Sequence, residues 1–223
     1  MRRSYRVRSR QRAAGFSLLE MMVVVALIIV VGSITFVSLI PLLKAQRVTN
    51  AYNITLAAMR QARDNAVSQR TSYSVNFVQS TSAAATITVA PTLSTAFSGE
   101  QNSVTYTLPT DVGFYAISGI PTGATTVPDG YGAGATAIDF GYTYSGTGSG
   151  GTSTIYFCPD GSSQDGTGGV GACTGNWSGG VVYVARQGEI LSSRAITLWG
   201  GTGRIHGWRL YNKTGGGYLW LRQ

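Results

Sequence analysis

The chain has 223 residues, with 17 Lys and Arg against 9 Asp and Glu, which gives a formal charge of +8 at pH 7. Six of the arginines lie within residues 1–15, so the rest of the chain holds eleven basic and nine acidic residues, a balance of +2. The overall charge therefore belongs to the N-terminal leader and is not evidence for nucleic-acid binding. One histidine and two cysteines also argue against an enzyme, a cofactor or a zinc site.

An uncharged apolar run of twenty residues, Met21 to Ile40, follows this leader. A helix of about twenty residues crosses the roughly 30 Å hydrocarbon core of a bilayer. The arginines before it predict that the N-terminal end stays in the cytoplasm and that the following domain lies outside it. The sequence thus predicts a single-pass membrane anchor with a C-terminal domain outside the cytoplasm.

Three interpretations of this segment compete. A secretory signal peptide has an apolar region of about 7–15 residues and a cleavage site of small residues, whereas this run is longer and continues into Pro41. An ordinary anchor needs no carboxylate beside its apolar run, where an ionised group costs a few kcal/mol. The third interpretation rests on Gly15-Phe16-Ser-Leu-Leu-Glu20, which resembles the type III signal of prepilins.

The resemblance implies a specific processing route. Prepilin peptidase would cleave after Gly15, Phe16 would become the N-methylated N-terminus, and the apolar segment would serve as membrane anchor and filament core. It also implies that Glu20 pairs with the N-terminal amine of a neighbouring subunit, because a carboxylate in an apolar bundle needs a partner. The alternative is that Glu20 only sits at the bilayer edge and reaches towards water.

One long helix is expected from Phe16 to about Arg70. Residues 16–41 form its hydrophobic part, and Pro41 predicts a kink or local melting because it lacks an N–H and its ring clashes with the preceding turn. Residues 42–70 are amphipathic. The apolar side chains there repeat at helical spacing and predict a face packed on a sheet, namely Val48, Tyr52, Leu56, Met59, Ala62 and Ala66.

Residues 71–223 are expected to form a β-rich domain. Short alternating segments predict strands near 73–77, 87–89, 104–108, 137–140, 154–158, 181–185, 195–199, 204–211 and 218–221. Hairpin turns are predicted at Gln187-Gly188 and at Asn212–Gly215, and loops are predicted at 80–85, 130–134, 141–152 and 160–171. The predicted fold class is α+β: a pilin-like long N-terminal helix packed on an antiparallel sheet.

Two further segments resemble the GspH/FimT family of minor pseudopilins and minor pilins: the helix sequence Leu56–Val67 and the C-terminal Ala195–Arg204. This resemblance implies a structural subunit of a type II secretion pseudopilus or of a type IV pilus, and the sequence does not separate the two. Other pilin or pseudopilin subunits and prepilin peptidase are the implied partners, and the implied location is the bacterial inner membrane, with the C-terminal domain in the periplasm. The segment 80–180 resembles no family.

Cys158 and Cys173 bracket a Gly/Ser/Asp-rich loop. Disulfides persist outside the cytoplasm, so the two cysteines are expected to pair. Asp160 and Asp165 in this loop suggest calcium, but their spacing fits no EF-hand, and a solvated loop is the default interpretation.

DNA is the alternative partner. From Arg186 onward six basic residues face one acidic residue, and tryptophans are interleaved with them. Some type IV minor pilins of this family bind DNA through Gly-Arg-x-Arg, whereas this chain has Gly203-Arg204-Ile205-His206, followed by Arg209 and Lys213. These residues predict DNA uptake, as in natural transformation, against the simpler interpretation of core aromatics and solubilising charges. Arg204 and His206 are expected to share a strand face that Arg209 does not clearly join.

Overall fold

A computed structural model describes residues 15–92, 103–132, 136–143, 152–166, 173–174 and 176–223, apart from the side chains of 34, 35, 37 and 38. The chain divides into two compact units, Met1–Leu43 and Lys44–Gln223. The predicted α+β, pilin-like arrangement is confirmed: a long N-terminal helix precedes antiparallel sheets. The sequence predicted one sheet, and the structure has two.

Helix α1 runs from Leu18 to Gln69. Its first turn is closed by the Met21 amide, which donates to the Ser17 carbonyl at 3.1 Å. The helix continues without a break through Pro41, so the predicted local melting does not occur. In the first unit the described apolar side chains of the helix are exposed, from Leu18 to Leu43.

The second half of α1 has one buried face, as the periodicity predicted. Val48, Tyr52, Met59, Ala62 and Ala66 are buried, while Leu56 lies at the margin. Ala51, Thr55 and Ala58 complete the buried face. Small side chains dominate this face, so the sheets approach the helix backbone closely.

The first sheet has five strands in the order β3-β2-β1-β6-β7. All its described pairings are antiparallel. Its strands are β1 (Tyr73–Val78), β2 (Thr86–Pro91), β3 (Val104–Thr107), β6 (Thr154–Phe157) and β7 (Ser163–Gln164). Alternate residues of β1, β2 and β6 are buried, which is the period-two pattern of a sheet with one face in the core.

The second sheet has the order β11-β10-β9-β8-β4, and β5 pairs with the same edge of β8 as β4 does. Its strands are β4 (Val112–Phe114), β5 (Ile138–Thr143), β8 (Ser178–Arg186), β9 (Arg194–Trp199), β10 (Arg204–Asn212) and β11 (Tyr218–Arg222). Every residue of β8 except Arg186 is buried, because both faces of this central strand are covered.

One core joins the helix to both sheets. Phe77 of β1 packs edge-on against Phe114 at 5.5 Å and stacks on Phe140 at 5.3 Å, which connects the first sheet to two strands of the second. A second apolar cluster covers the other face of β8 to β11, where Tyr183 and Trp220 meet Ile120, Tyr131 and Tyr142. The second sheet is therefore the middle layer of the domain.

The strand predictions are confirmed except at their margins. Two short strands were not predicted, β4 and β7, and β7 lies inside the predicted loop 160–171. Gly141 to Thr143 belong to β5, so the predicted loop 141–152 begins too early, and residues 144–151 lie outside the described residues. The Gln187-Gly188 turn continues into a 3-10 helix, Ile190–Ser192, instead of closing a tight hairpin. The predicted turn at Asn212–Gly215 does connect β10 to β11.

The predicted disulfide between Cys158 and Cys173 is present. It follows β6 and closes a segment of 15 residues that contains β7. Closing a loop of this length stabilises the fold by about 3 kcal/mol in the chain-entropy model. The loop also contacts the second sheet, since the Ser163 hydroxyl donates to the carbonyl of Ser178 in β8 at 2.9 Å.

Gly207 tests the fit between β10 and the helix. A Cβ atom at this position would lie 1.6 Å from the Tyr52 hydroxyl oxygen, so Gly207→Ala should cost about 1–3 kcal/mol of unfolding free energy. Urea unfolding of the full chain measures this loss. Adding Tyr52→Phe should restore part of it, with Tyr52→Phe alone as the control. An unfolding midpoint of Gly207→Ala equal to that of the wild type would contradict the packing described here.

Candidate functional site

The peptide bond between Gly15 and Phe16 lies just outside helix α1. Residues 15–17 have no regular secondary structure, and the Phe16 side chain is 77% exposed. Non-helical, exposed backbone is the kind of segment that proteases cleave. Glu20 lies in the first turn of the helix, where a carboxylate interacts favourably with the helix dipole.

One further observation concerns the predicted membrane segment. Among the residues that the structure describes, none of the helices combines the length and the apolar character that crossing a membrane requires.

A pocket of about 380 Å³ lies between the helix and the C-terminal strands. We call it the arginine pocket, and its lining residues are Arg60, Arg63, Asp64, Gly203, Arg204, Ile205, His206 and Arg222. Arg60 and Arg63 project from one side of α1 because residues three apart on a helix are neighbours. Arg204 begins β10, and Arg222 ends the adjacent β11.

Arg63 holds the pocket wall together. Its Nε donates to the Gly161 carbonyl at 3.3 Å, and its Nη2 donates to the Thr202 carbonyl at 3.1 Å. The turn leaves no room for a side chain at Gly203, where φ is +58° and a Cβ atom would lie 2.0 Å from the Gly161 carbonyl oxygen. The helix, the disulfide-closed loop and the β9–β10 turn therefore meet at one guanidinium group.

Positive charge dominates the arginine pocket. Four arginines line it together with one acidic residue, Asp64. Among the described residues, the basic partners of the ion pairs are Arg47, Arg186 and His206. None of the four arginines that line the pocket therefore has a carboxylate within 4.0 Å in this part of the chain. Such a cluster attracts anions, and the fork of a guanidinium that makes no other contact matches a phosphate or carboxylate group.

His206 borders the pocket but is engaged on its far side. Its Nδ1 donates to Asp129 Oδ2 at 2.8 Å, and the Thr197 hydroxyl donates to the same oxygen. Trp208 extends this network through its Nε1, which donates to the Thr197 hydroxyl at 3.1 Å. His206 Nε2 is buried, and no described residue accepts a hydrogen bond from it or donates one to it. The side chain is thus a fixed part of the pocket wall.

The environment of Asp129 favours its charged form. Burial on its own would raise the pKa of Asp129, but hydrogen bonds from Thr197, His206 and Trp199 outweigh burial and hold the pKa below its usual range. Asp129 also adopts a left-handed backbone conformation, with φ at +51°, which aspartate tolerates better than most residues.

The other two predicted DNA contacts, Arg209 and Lys213, lie away from the arginine pocket. Arg209 pairs in register with Arg194 and lines a different pocket, beside residues 45–53 of the helix. Its guanidinium lies 5.2 Å from the centre of the Tyr211 ring. Burial, followed by repulsion from Arg209, lowers the pKa of Arg194 to about 10. Lys213 is exposed in the β10–β11 turn.

An aromatic surface adjoins the arginine pocket at the β9–β10 turn. We call it the aromatic patch, and it consists of Trp177, Trp199, Tyr131 and Tyr142 beside Gly200, Gly201 and Thr202. Trp177 is 52% exposed and Trp199 is 38% exposed. The other predicted stacking aromatics differ: Trp220 is buried in the core, Trp208 is partly buried, and Tyr211 is exposed beside Arg209.

Sequence reasoning named Arg204 and His206 and counted Arg222 among the six C-terminal cations, but it did not name Arg60, Arg63 or Trp177. The two helix arginines carried a usable signal, because they are three residues apart and lie off the buried stripe. Trp177 carried none, since only loop placement brings it to the site. Among the described residues, no group of three or more His, Cys, Asp or Glu side chains is arranged to hold a metal ion.

Residues 10–36 match a family model described as the prokaryotic N-terminal methylation motif. No curated protein and no solved structure matches the chain. The matched segment contains Gly15, Phe16 and Glu20, and it supports a type IV prepilin-like protein that is processed by prepilin peptidase, anchored in the inner membrane by its N-terminal helix and assembled with other pilins.

Asp129→Asn should reveal the stability held in the carboxylate network. Asparagine tolerates the left-handed backbone, so the substitution removes mainly the charge, and we expect a loss of about 1.5–3 kcal/mol at pH 7. Because the folded-state pKa of Asp129 is lowered, its contribution is full above the unfolded value of about 3.9 and disappears as the pH falls through the folded value.

Unfolding of the full chain between pH 7 and pH 2 measures this difference. Wild type and Asp129→Asn should converge in stability only below about pH 4. Asp64→Asn, at an exposed aspartate, serves as the control and should have little effect. A difference between wild type and Asp129→Asn that stays constant across the whole range would exclude the carboxylate charge as its source.

Proposed function

We propose that the protein is a minor pilin or minor pseudopilin, a structural subunit of a type IV pilus or of a type II secretion pseudopilus. The observation that carries the proposal is the Gly15-Phe16 bond, which lies in exposed, non-helical backbone two residues before helix α1 and inside the methylation motif. Cleavage there leaves Phe16 as the N-terminus and keeps the apolar helix attached to the domain.

The exposed apolar surface of α1 supports assembly. Leu18, Leu19 and Met22 are each more than 60% exposed, and apolar side chains of this kind continue to Leu43. A surface of this size is stable only when other apolar groups cover it. In the proposed cycle lipid covers it in the inner membrane, and neighbouring helices cover it in the filament. The unit Lys44–Gln223 then occupies the periplasm.

Glu20 is the proposed assembly contact. Cleavage creates an ammonium group at Phe16, and a neighbouring subunit can offer its Glu20 carboxylate to that group. In an apolar helix bundle each of these charges would be costly alone, so each requires the other. The membership of the GspH/FimT family is part of the same proposal, and the Leu56–Val67 helix sequence and the Gly203-Arg204 turn support it.

Two measurements test processing and assembly. Intact mass and N-terminal peptides from purified membranes should show Phe16, with a methyl group, as the first residue. Glu20→Leu should insert into the membrane normally but should be depleted from sheared filaments, and Glu20→Asp should retain more assembly because it keeps the charge. An N-terminus at Met1 would end the prepilin proposal, and normal filament recovery of Glu20→Leu would end the pairing role.

DNA binding is the second candidate function, and the arginine pocket favours it. Four arginines line it, and none of them has a carboxylate within 4.0 Å among the described residues. Phosphate binding releases counterions from DNA, and its strength rises with the number of clustered cations. His206 stands at the position of the second arginine of Gly-Arg-x-Arg, and Arg60, Arg63 and Arg222 are the other cations that line the pocket with Arg204.

Two double variants, one inside and one outside the arginine pocket, test the DNA-binding candidate. Duplex DNA titrated onto the full chain in detergent should bind more weakly as salt rises, and Arg204→Ala with Arg222→Ala should lower the salt slope by about one for each phosphate that is no longer neutralised. Arg209→Ala with Lys213→Ala removes the same charge outside the pocket and should change binding less. Equal weakening in both double variants would assign any binding to net charge alone.

A further inference from the structure

We propose that the aromatic patch and the arginine pocket together form a binding surface for single-stranded nucleic acid. Bases would stack on Trp199 and Trp177, while guanidinium groups of the pocket hold the phosphates. The inference deepens the DNA-binding candidate and rests on it. It specifies that the nucleic acid is single-stranded, and it adds Trp177 and Trp199 as residues that contact the bases.

The first argument is the pairing of Trp199 with Arg204. These residues are directly opposite each other in the β9–β10 register, so their side chains leave the same face of the sheet. Both are exposed. Arg204 also lines the arginine pocket, and the consecutive turn residues Thr202 and Gly203 belong to the patch and the pocket respectively. A flat apolar ring and a phosphate-binding group therefore stand side by side on one continuous surface.

The second argument is that the Trp199 ring is held from behind. Tyr131 packs edge-on against Trp199 with ring centres 5.8 Å apart, and Tyr142 packs edge-on against Tyr131 at 5.4 Å. Both tyrosines are buried. A ring fixed in this way loses little side-chain freedom when a ligand stacks on it, which favours binding.

Trp177 supplies the second ring. It lies against bare backbone at Gly201, where a Cβ atom would come within 3.2 Å of the indole. Glycine at this position lets the ring rest on the turn that carries Thr202 and Gly203. Two exposed indoles beside one turn match the stacking platforms on which proteins bind successive bases of a single strand.

The form of the nucleic acid follows from this combination. A duplex presents phosphates to the arginine pocket but keeps its bases stacked inside, so the aromatic patch adds nothing to its affinity. A single strand offers both groups. A neutral glycan also stacks on tryptophan, but it gains nothing from the positive charge of the neighbouring arginines, so the charge favours a polyanion.

The test compares two fluorescently labelled probes: a single-stranded oligo-dT of about 15 nucleotides and a DNA hairpin whose duplex stem is about 15 base pairs long. Each probe is titrated onto the full chain in detergent at low and at moderate salt. Oligo-dT should bind more tightly. Trp199→Ala and Trp177→Ala should each weaken oligo-dT binding about tenfold and leave duplex binding within threefold. Tyr211→Ala is the control, because Tyr211 is as exposed as Trp199 but lies outside the patch.

Each outcome bears on the inference separately. Duplex binding that equals oligo-dT binding, or tryptophan variants that bind oligo-dT normally, would overturn it and leave the DNA candidate standing. No binding of either nucleic acid at low salt would overturn the DNA candidate as well, without affecting processing at Gly15. Binding of a neutral chitooligosaccharide that is abolished in the tryptophan variants and does not change with salt would assign the patch to glycans and also overturn the inference.

Discussion

Small side chains on one face of helix α1 decide how closely the rest of the domain can approach it. Ala51, Ala58, Ala62 and Ala66 are fully buried, and both sheets pack against the face that they form. Larger residues there would push the sheets outward, because protein interiors are close-packed and do not absorb added volume. The same close approach lets Arg63, at the flank of this face, reach the backbone of two separate loops. The arginine pocket therefore depends on a packing constraint as much as on its charges.

The regular elements were predictable because each has a local signal. The alternation of apolar and polar residues predicts β1, β2 and β6, and apolar residues at helical spacing predict the buried stripe of α1. The two missed strands lack such a signal: β4 has three residues and pairs with β8, whose partner residues lie about seventy positions later in the chain. Pro41 predicts a kink or local melting, and α1 does not melt there, since a proline removes one hydrogen bond and the many bonds on both sides outweigh that loss.

The candidate sites differ in the same way, because one has a local sequence signal and the other does not. Gly15, Phe16 and Glu20 were found because their motif is contiguous, whereas the arginine pocket gathers residues from the helix, a turn and the last strand. His206 shows the limit of sequence reasoning most clearly. As one histidine among basic residues it suggested a phosphate contact, but its Nδ1 is committed to Asp129, a residue 77 positions away. Arg209, near in sequence to Arg204, belongs to the opposite face of its strand.

The Arg63 contacts also bear on the order in which the protein becomes competent. They join residues separated by 98 and 139 positions, and one of the acceptors lies within the loop that Cys158 and Cys173 close. Contacts of such separation form late in folding, because the chain entropy of large loops is lost before the contacts compensate for it. The arginine pocket is therefore expected to form completely only after the domain has folded and the disulfide has closed. A reduced domain, in which Cys158 and Cys173 no longer close this segment, would hold Gly161 less firmly against Arg63.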